Sequence, residues 1–326
     1  MIYTVTFNPA IDCVMRVRDV RFGSINRCET EDIYYGGKGI NVSNVLNELD
    51  CANVAWGFVA GFMGLALEQA LIDAGTACDF IHLPAGETRI NAKLKGCADD
   101  APSSEAQTIT GADVETAINA KGPEVDAESL NRLFERLQAI GAGDILIISG
   151  GTPRGLDDDV YARILQGQQG RDVRVVVDAT GNLALNALPF GPWLVKPNDE
   201  EIAEMTGCDP FDVAGLVEGA RALQQRGARN VLVSRGGEGA ILLDENGRLH
   251  QAPAPAGTLV NSVGAGDSTV AGFVAGYTQA REDGRDEDAA YVHAFALAQA
   301  CGSATAFSPG LATRQTIDDL LARIEG

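Results

Sequence analysis

The run NSVGAGDSTVAGFVAGY, from Asn261 to Tyr277, carries residue types suited to phosphoryl transfer. Gly264, Ala265 and Gly266 lead into Asp267, and a small, apolar, helix-compatible stretch follows. A glycine turn that empties into a helix start presents unpaired backbone N–H groups at the positive end of the helix dipole, and together these hold an anion. A carboxylate at the same turn repels that anion unless it accepts a proton beside a phosphoryl group. On this segment alone, a plain N-cap role for Asp267 stands level with the role of base.

Other turns could complete such a site. Gly36, Gly37, Lys38, Gly39 and Asn41 form a second glycine-rich turn, where backbone can approach a ligand closely. Lys38 supplies a compact charge there, and Asn41 can donate to or accept from a hydroxylated ligand. It is not a Walker loop, because glycine follows Lys38 and Asp32 occupies the required upstream glycine position. A tight turn with a solvated lysine is the plainer alternative. Asp12, just after the first apolar run, could accept hydrogen bonds from a pair of sugar hydroxyls, or cap a turn after Pro9. Asn198 and Glu201, three apart after Lys196, could hold a hydrated magnesium ion or simply complement a helix dipole. Ser234 to Gly239, with Gly236 and Gly237 between them, suits close passage of a nucleotide or a simple hairpin.

The elements that position these turns are legible as short apolar runs separated by helical stretches. Residues 2–7, 53–59, 144–149, 173–178, 193–197 and 230–234 read as strands. DILIIS and VRVVV are apolar on both faces, as expected of parallel strands covered from each side. Segments near 39–49, 64–75, 127–140, 156–169, 198–206 and 210–226 read as helices, and 266–325 as mostly helical. The alternation predicts a three-layer α/β fold with a mostly parallel central sheet, spanning residues 1–326 as one domain. Segments 14–35 and 87–120 alternate polar with apolar residues and predict strands outside the main sheet, forming a small β-lid. Within the second, 97–113 is rich in small and acidic residues and reads as a mobile loop at the lid edge.

Composition narrows the partners. A net charge of −20 from 45 acidic and 25 basic residues argues against nucleic acid and anionic membranes. It also means that local cations and helix N-termini must hold any phosphate against an unfavourable global field. No apolar run is long enough to span a bilayer, and no basic region precedes an apolar one at the N-terminus, so a cytoplasmic location is expected. The seven cysteines are scattered without a Cys-x-x-Cys pair, which fits a reducing compartment. The first strand is followed by Asn8-Pro9-Ala10-Ile11-Asp12, not Gly-x-Gly-x-x-Gly, so a dinucleotide-dependent dehydrogenase is disfavoured.

In combination these turns resemble the PfkB (ribokinase-like) carbohydrate kinases, from residue 1 to about 312. GGKGINVSNVL at 36–46 is similar to the first signature of that family, and NSVGAGDSTVA at 261–271 to the second. The resemblance implies ATP and Mg2+ as cofactors and a ketohexose phosphate as acceptor, most simply fructose 1-phosphate giving fructose 1,6-bisphosphate. Tagatose 6-phosphate and fructose 6-phosphate are the alternatives, and a non-catalytic sugar-phosphate sensor is the alternative of another class. It implies that Asp267 is the base and that Gly264, Ala265 and Gly266 form the anion hole. Asp12, Gly37, Lys38 and Asn41 would bind the sugar phosphate, with Arg89 reaching its phosphate from the lid. Lys196, Asn198, Ser234, Gly236 and Gly239 would serve ATP, and Glu201 the metal through water. A homodimer clasped through the lid is also implied. Tyr35 stands where the family usually has proline, and Asn44 where its closest branch commonly has arginine.

Overall fold

The computed structural model describes residues 1–18, 20–21, 23–96 and 115–325, so the expected loop at 97–113 lies outside the described residues. From the N-terminus the chain runs through β1 (Ile2–Thr6), β2 (Ala10–Arg16), β3 (Thr30–Gly36), α1 (Lys38–Glu48), β4 (Asn53–Ala60) and α2 (Gly61–Asp73). There follow β5 (Cys78–Leu83), β6 (Arg89–Lys95), β7 (Glu115–Asn119), α3 (Ala127–Leu137), β8 (Ile145–Ser149), α4 (Val160–Gln168) and β9 (Arg174–Asp178). The second half holds α5 (Gly181–Ala187), β10 (Leu194–Val195), α6 (Asp199–Thr206), α7 (Val213–Gln225), β11 (Asn230–Ser234), β12 (Ala240–Leu243) and β13 (Leu249–Ala252). It closes with α8 (Ala265–Glu282), α9 (Glu287–Ala306) and α10 (Arg314–Glu325).

The main sheet has the order β13-β12-β11-β10-β9-β8-β1-β4-β5. Its pairs are parallel from β5 through to β11, and β12 and β13 are added antiparallel. Successive strand side chains point to opposite faces. Leu146, Ile148, Val175, Val177, Val231 and Val233 enter one buried cluster with α3, α4 and α7. Ile145, Ile147, Val176 and Leu232 enter another, with α1, α8, α9 and α10. Apolar residues on both faces therefore account for the three layers.

Segments 14–35 and 87–120 contribute to a second sheet of order β3-β2-β6-β7. It starts earlier than expected, at Ala10, because β2 pairs with β3 from Ala10↔Gly36 and with β6 from Ala10↔Arg89. Asp12 consequently sits inside a lid strand rather than at the carboxyl end of a main-sheet strand. Its register partners are Tyr34 and Asn91. The expected strand at 193–197 shrinks to Leu194–Val195, flanked by Pro192 and Pro197, which lack a ladder donor. β5, β12, β13 and α5 have weak sequence signals. β5 and β13 carry charged or polar residues along sheet edges, and β12 is four residues long.

α8 and α9 approach closely where glycine leaves room. A Cβ on Gly272 would lie 2.5 Å from Leu297 O, and one on Gly276 would lie 2.9 Å from Ala294 Cα. Because α8 carries Asp267 in its first turn, this contact positions the site. Gly272→Ala should lower the urea unfolding midpoint, although alanine improves helix propensity by about 1 kcal/mol. Overpacking against a backbone carbonyl costs about 1–3 kcal/mol and outweighs that gain. A raised midpoint would show that the two helices are not held at contact distance.

Candidate active site

The ends of β1, β9 and β10 bring three turns together. Gly37 is the N-cap of α1 at φ 142°, and a Cβ there would meet the Thr6 methyl at 2.6 Å, so glycine is required. Lys38, the first residue of α1, places Nζ 3.2 Å from Oδ2 of Asp178, the last residue of β9. Lys196, just beyond β10, places Nζ 3.3 Å from Oδ1 of the same carboxylate. A Cβ on Gly266 would lie 3.2 Å from Lys196 Nζ, so this ammonium lies against the first turn of α8. Asp267 is buried there, and its Oδ2 accepts a 2.8 Å hydrogen bond from Asn41 Nδ2.

This geometry resolves the N-cap alternative. Gly264 is the N-cap of α8, at φ 82°, and Asp267 is the third helical residue. No side chain caps the helix. The N–H of Ala265 donates to Ser262 O at 3.2 Å, and the helical ladder begins with Ser268 N–H to Gly264 O at 2.8 Å. The N–H groups of Gly266 and Asp267 therefore precede the first ladder bond and are suited to an anion, whereas that of Ala265 is engaged.

Two cavities lie near this turn, one lined by Asn41 and Val263 and the other by Ala265 and Gly266. One of about 580 Å³ lies under the lid, lined by Asp12, Arg16, Lys93, Gly37, Asn41 and Val263 among others. The other, of about 610 Å³, is lined by Ser234, Gly236, Gly239, Ala265, Gly266 and one face of α9. Ser234 is drawn beside the Lys196 turn by a 3.1 Å bond from its N–H to Pro197 O. Gly239 sits at φ 93° against Ala252 O, which a Cβ would meet at 2.1 Å.

Some expected residues take other partners. Asp12 Oδ1 accepts from Asn91 Nδ2 at 2.7 Å, and its Oδ2 pairs with Lys93 Nζ at 3.0 Å. Arg89 does not line either cavity. Its Nε donates to Asn8 O at 3.1 Å and its Nη1 to Ala120 O at 3.4 Å, which ties down the root of the lid. Asn198 and Glu201 form a reciprocal capping box at 2.7 and 2.8 Å. The helix start therefore engages the Asn198 side-chain oxygen and one Glu201 carboxylate oxygen. Among the described residues no group of three or more His, Cys, Asp or Glu side chains is placed to hold a metal ion. Mg2+ is commonly bound by one or two carboxylates, substrate phosphates and waters. The residues present fit an ion carried mainly on phosphates.

The charges are strongly coupled. Burial works against the Asp178 carboxylate, but Lys196 and Lys38 overcome it and hold its pKa below the usual value. Burial also opposes the Lys38 charge, and Asp178, Asp267 and Glu201 outweigh it and raise its pKa. Asp267 goes the other way. Burial, reinforced by Asp178, pushes its pKa up to about 6, against the Asn41 hydrogen bond and the two lysines. The helix dipole alone would have kept it low. A carboxylate near 6 is a better proton acceptor at neutral pH than one near 4. Asp178 was not singled out in the sequence, although it ends the run VRVVVD and meets the strand-end criterion applied to Asp12.

A family profile described as pfkB family carbohydrate kinase matches residues 3–317. The chain is 38% identical to 1-phosphofructokinase of Bacillus subtilis over 325 residues, covering 100% of this chain and 99% of that one. It is 32% identical to D-tagatose-1-phosphate kinase of Bacillus licheniformis over 327 residues, covering 100% and 99%. The structure of Arabidopsis thaliana ribokinase superposes with a TM-score of 0.75 at 18% identity, covering 98% of each chain, and this likeness shows the fold. With the profile spanning nearly its whole length and such relatives aligned end to end, the chain belongs to the pfkB family of carbohydrate kinases and has the ribokinase-like α/β fold.

Proposed function

We propose that the protein transfers the γ-phosphoryl group of ATP to the 6-hydroxyl of fructose 1-phosphate, giving fructose 1,6-bisphosphate and ADP. The observation that carries this reading is the buried Asp267 carboxylate of raised pKa beside uncapped N–H groups, with its hydrogen-bond donor Asn41 lining one cavity and its neighbours Ala265 and Gly266 lining another. The names of the full-length relatives support the choice of a ketohexose 1-phosphate.

The acceptor occupies the cavity under the lid, where Asp12 accepts from its hydroxyls and the Gly37 backbone and Asn41 orient it. Arg16, Lys93 and Lys95 line the same cavity and face its phosphate. The nucleotide occupies the second cavity, with its phosphates passing Ser234, Gly236 and Gly239 towards Gly266. Asp267 takes the proton from the 6-hydroxyl as that oxygen bonds to the γ-phosphorus. The bond from the γ-phosphorus to the bridging oxygen breaks, and ADP leaves with the electron pair. A loose transition state demands positioning and charge neutralisation above all. Lys38 and Lys196, fixed by Asp178, supply two of the positive charges. Magnesium borne on the phosphates supplies the rest. The lid excludes water and so limits wasteful hydrolysis. The outer lid face exposes Ile33, Ile90 and Ile118, which suits a homodimer clasped lid to lid. The six described cysteines are all free, which agrees with a cytoplasmic setting.

Comparing kcat/KM for fructose 1-phosphate, tagatose 1-phosphate, tagatose 6-phosphate and fructose 6-phosphate tests the acceptor directly. Fructose 1-phosphate should be the best of these, and a better result with any other reassigns the substrate. Asp267→Asn should fold normally and lose roughly 10²–10⁴-fold in kcat, the range for a missing general base. Near-normal turnover would remove Asp267 from the chemistry.

The pH dependence has a definite sign. Protonated Asp267 cannot accept a proton, so kcat/KM should fall as pH drops through about 6. Asn41→Ala removes a hydrogen bond that favours the charged carboxylate, so the acid limb should move to higher pH. An acid limb that stays in place in this variant would belong to the sugar phosphate, whose own second ionisation also lies near 6.

A further inference from the structure

Two buried hydroxyls bridge α8 and α9 beneath the Asp267 turn. Ser268 and Thr305 are both 0% exposed, and neither lines a cavity. Ser268 Oγ lies 2.9 Å from Gly264 O and 2.7 Å from Thr305 Oγ1, which in turn lies 2.9 Å from Ala312 N. Resting on the reading of Asp267 as the base and of the lid cavity as the acceptor site, we propose that Thr305 is a positioning residue. Its hydroxyl holds the wall of the acceptor cavity in register with the turn that carries Asp267.

The order of the protons follows from the inventory of donors. A hydroxyl has one proton to give. Ser268 spends its proton on the Gly264 carbonyl, so Thr305 is the donor across the 2.7 Å contact. The lone pairs of Thr305 remain for the Ala312 N–H. All the bonds therefore run one way, from Ala312 through Thr305 and Ser268 to Gly264. The Gly264 carbonyl also accepts the Ser268 N–H at 2.8 Å, so the peptide that opens α8 is held at two points. Bonds aligned head to tail polarise and strengthen one another. A valine of similar shape would fill the same contact without the cost of burying a hydroxyl.

The two ends of the chain of bonds lie at the two halves of the proposed reaction. Gly264 is the N-cap of α8 and leads into Gly266 and Asp267. Ala312 belongs to the stretch 309–313 that follows α9 and lines the lid cavity. Leu311 of this stretch packs on the turn, since a Cβ on Gly264 would fall 2.6 Å from its Cδ2. The segment entering the turn is pinned to the same junction. Val260 and Asn261 donate their N–H groups to Ala306 O, at the end of α9, at 2.8 and 3.1 Å. Asn261 Nδ2 donates to Pro309 O at 3.1 Å, and Asn261 itself lines the lid cavity. Thr305 thus lies where the cavity wall, the entering segment and the first turn of α8 converge. Phosphoryl transfer tolerates little error between acceptor hydroxyl and turn, and a misplacement of about 1 Å costs on the order of 10²-fold.

Steady-state kinetics with ATP and fructose 1-phosphate, on protein shown to be folded by circular dichroism, test this role. Thr305→Val should lose roughly tenfold to a hundredfold in kcat, with both KM values within about threefold of wild type. Thr305→Ser keeps the hydroxyl and should restore kcat to within about threefold. Ser268→Ala breaks the same chain of bonds, so the double variant should lose little more than either single one. A valine variant that melts earlier but keeps the wild-type kcat would overturn the assignment. Equal losses in the valine and serine variants, or losses that multiply in the double variant, would do the same. Should the valine variant fail to fold, Ser268→Ala decides: a kcat loss with both KM values held supports the assignment, and wild-type kcat overturns it. If the wild type does not turn over fructose 1-phosphate, the acceptor reading falls, and the same variants measured with whichever ketohexose phosphate is turned over decide the role of Thr305 separately. If no ketohexose phosphate is turned over, both readings fall.

Discussion

The buried carboxylate of Asp178 holds the site together. It ends a central strand, is 1% exposed, and bridges Lys38 from the start of α1 and Lys196 from the end of β10. Loss of one partner in such a group leaves a buried charge uncompensated, at a cost of roughly 3–5 kcal/mol. The bridge therefore fixes two ammonium groups that would otherwise repel each other. It also sets the field at Asp267, where the like charge of Asp178 and burial outweigh the two cations. One interaction thus gathers positive charge beside Asp267 and helps raise its pKa towards neutrality, as the proposed phosphoryl transfer would require.

The acceptor site proposed under the lid is one that the global charge does not favour. With a net charge of −20, the molecule repels a dianionic sugar phosphate at long range. Cations must therefore be local, and Arg16, Lys93 and Lys95 are carried on one face of β2 and β6 because alternate strand residues share a face. Arg89 lies on the same face of β6 as Lys93 and Lys95, but its guanidinium is spent on the carbonyls of Asn8 and Ala120. Its contribution is to anchor the sheet that bears the other cations. The lid is thus held at its root by hydrogen bonds and carries cations into the cavity farther out.

Glycine performs different work at the several turns. At Gly37 and Gly264 positive φ and close neighbours make the residue obligatory, whereas at Gly266 the open flank admits the Lys196 ammonium. In Gly272 and Gly276 the missing side chain lets α8 and α9 touch, which aligns the Asp267 turn with the cavity face of α9. Packing in the helical layer and chemistry at its N-terminus are therefore set by the same helix.

Local patterns determined a large part of this protein. Apolar runs such as DILIIS and VRVVV specify strands buried on both faces, and the glycine turns at 36–39 and 264–266 specify helix starts, because these depend on neighbours within a few residues. The tertiary structure decided what depends on residues distant in sequence. Asp178 looked like the end of a strand until Lys38 and Lys196 arrived from 140 residues upstream and from the next strand. Asp12 moved into the lid because β2 found β3 and β6, and Asn198 was claimed by its own helix cap. The raised pKa of Asp267 follows from burial by other segments. Sequence spacing encodes backbone conformation, but electrostatic environment is a property of what folds against a residue.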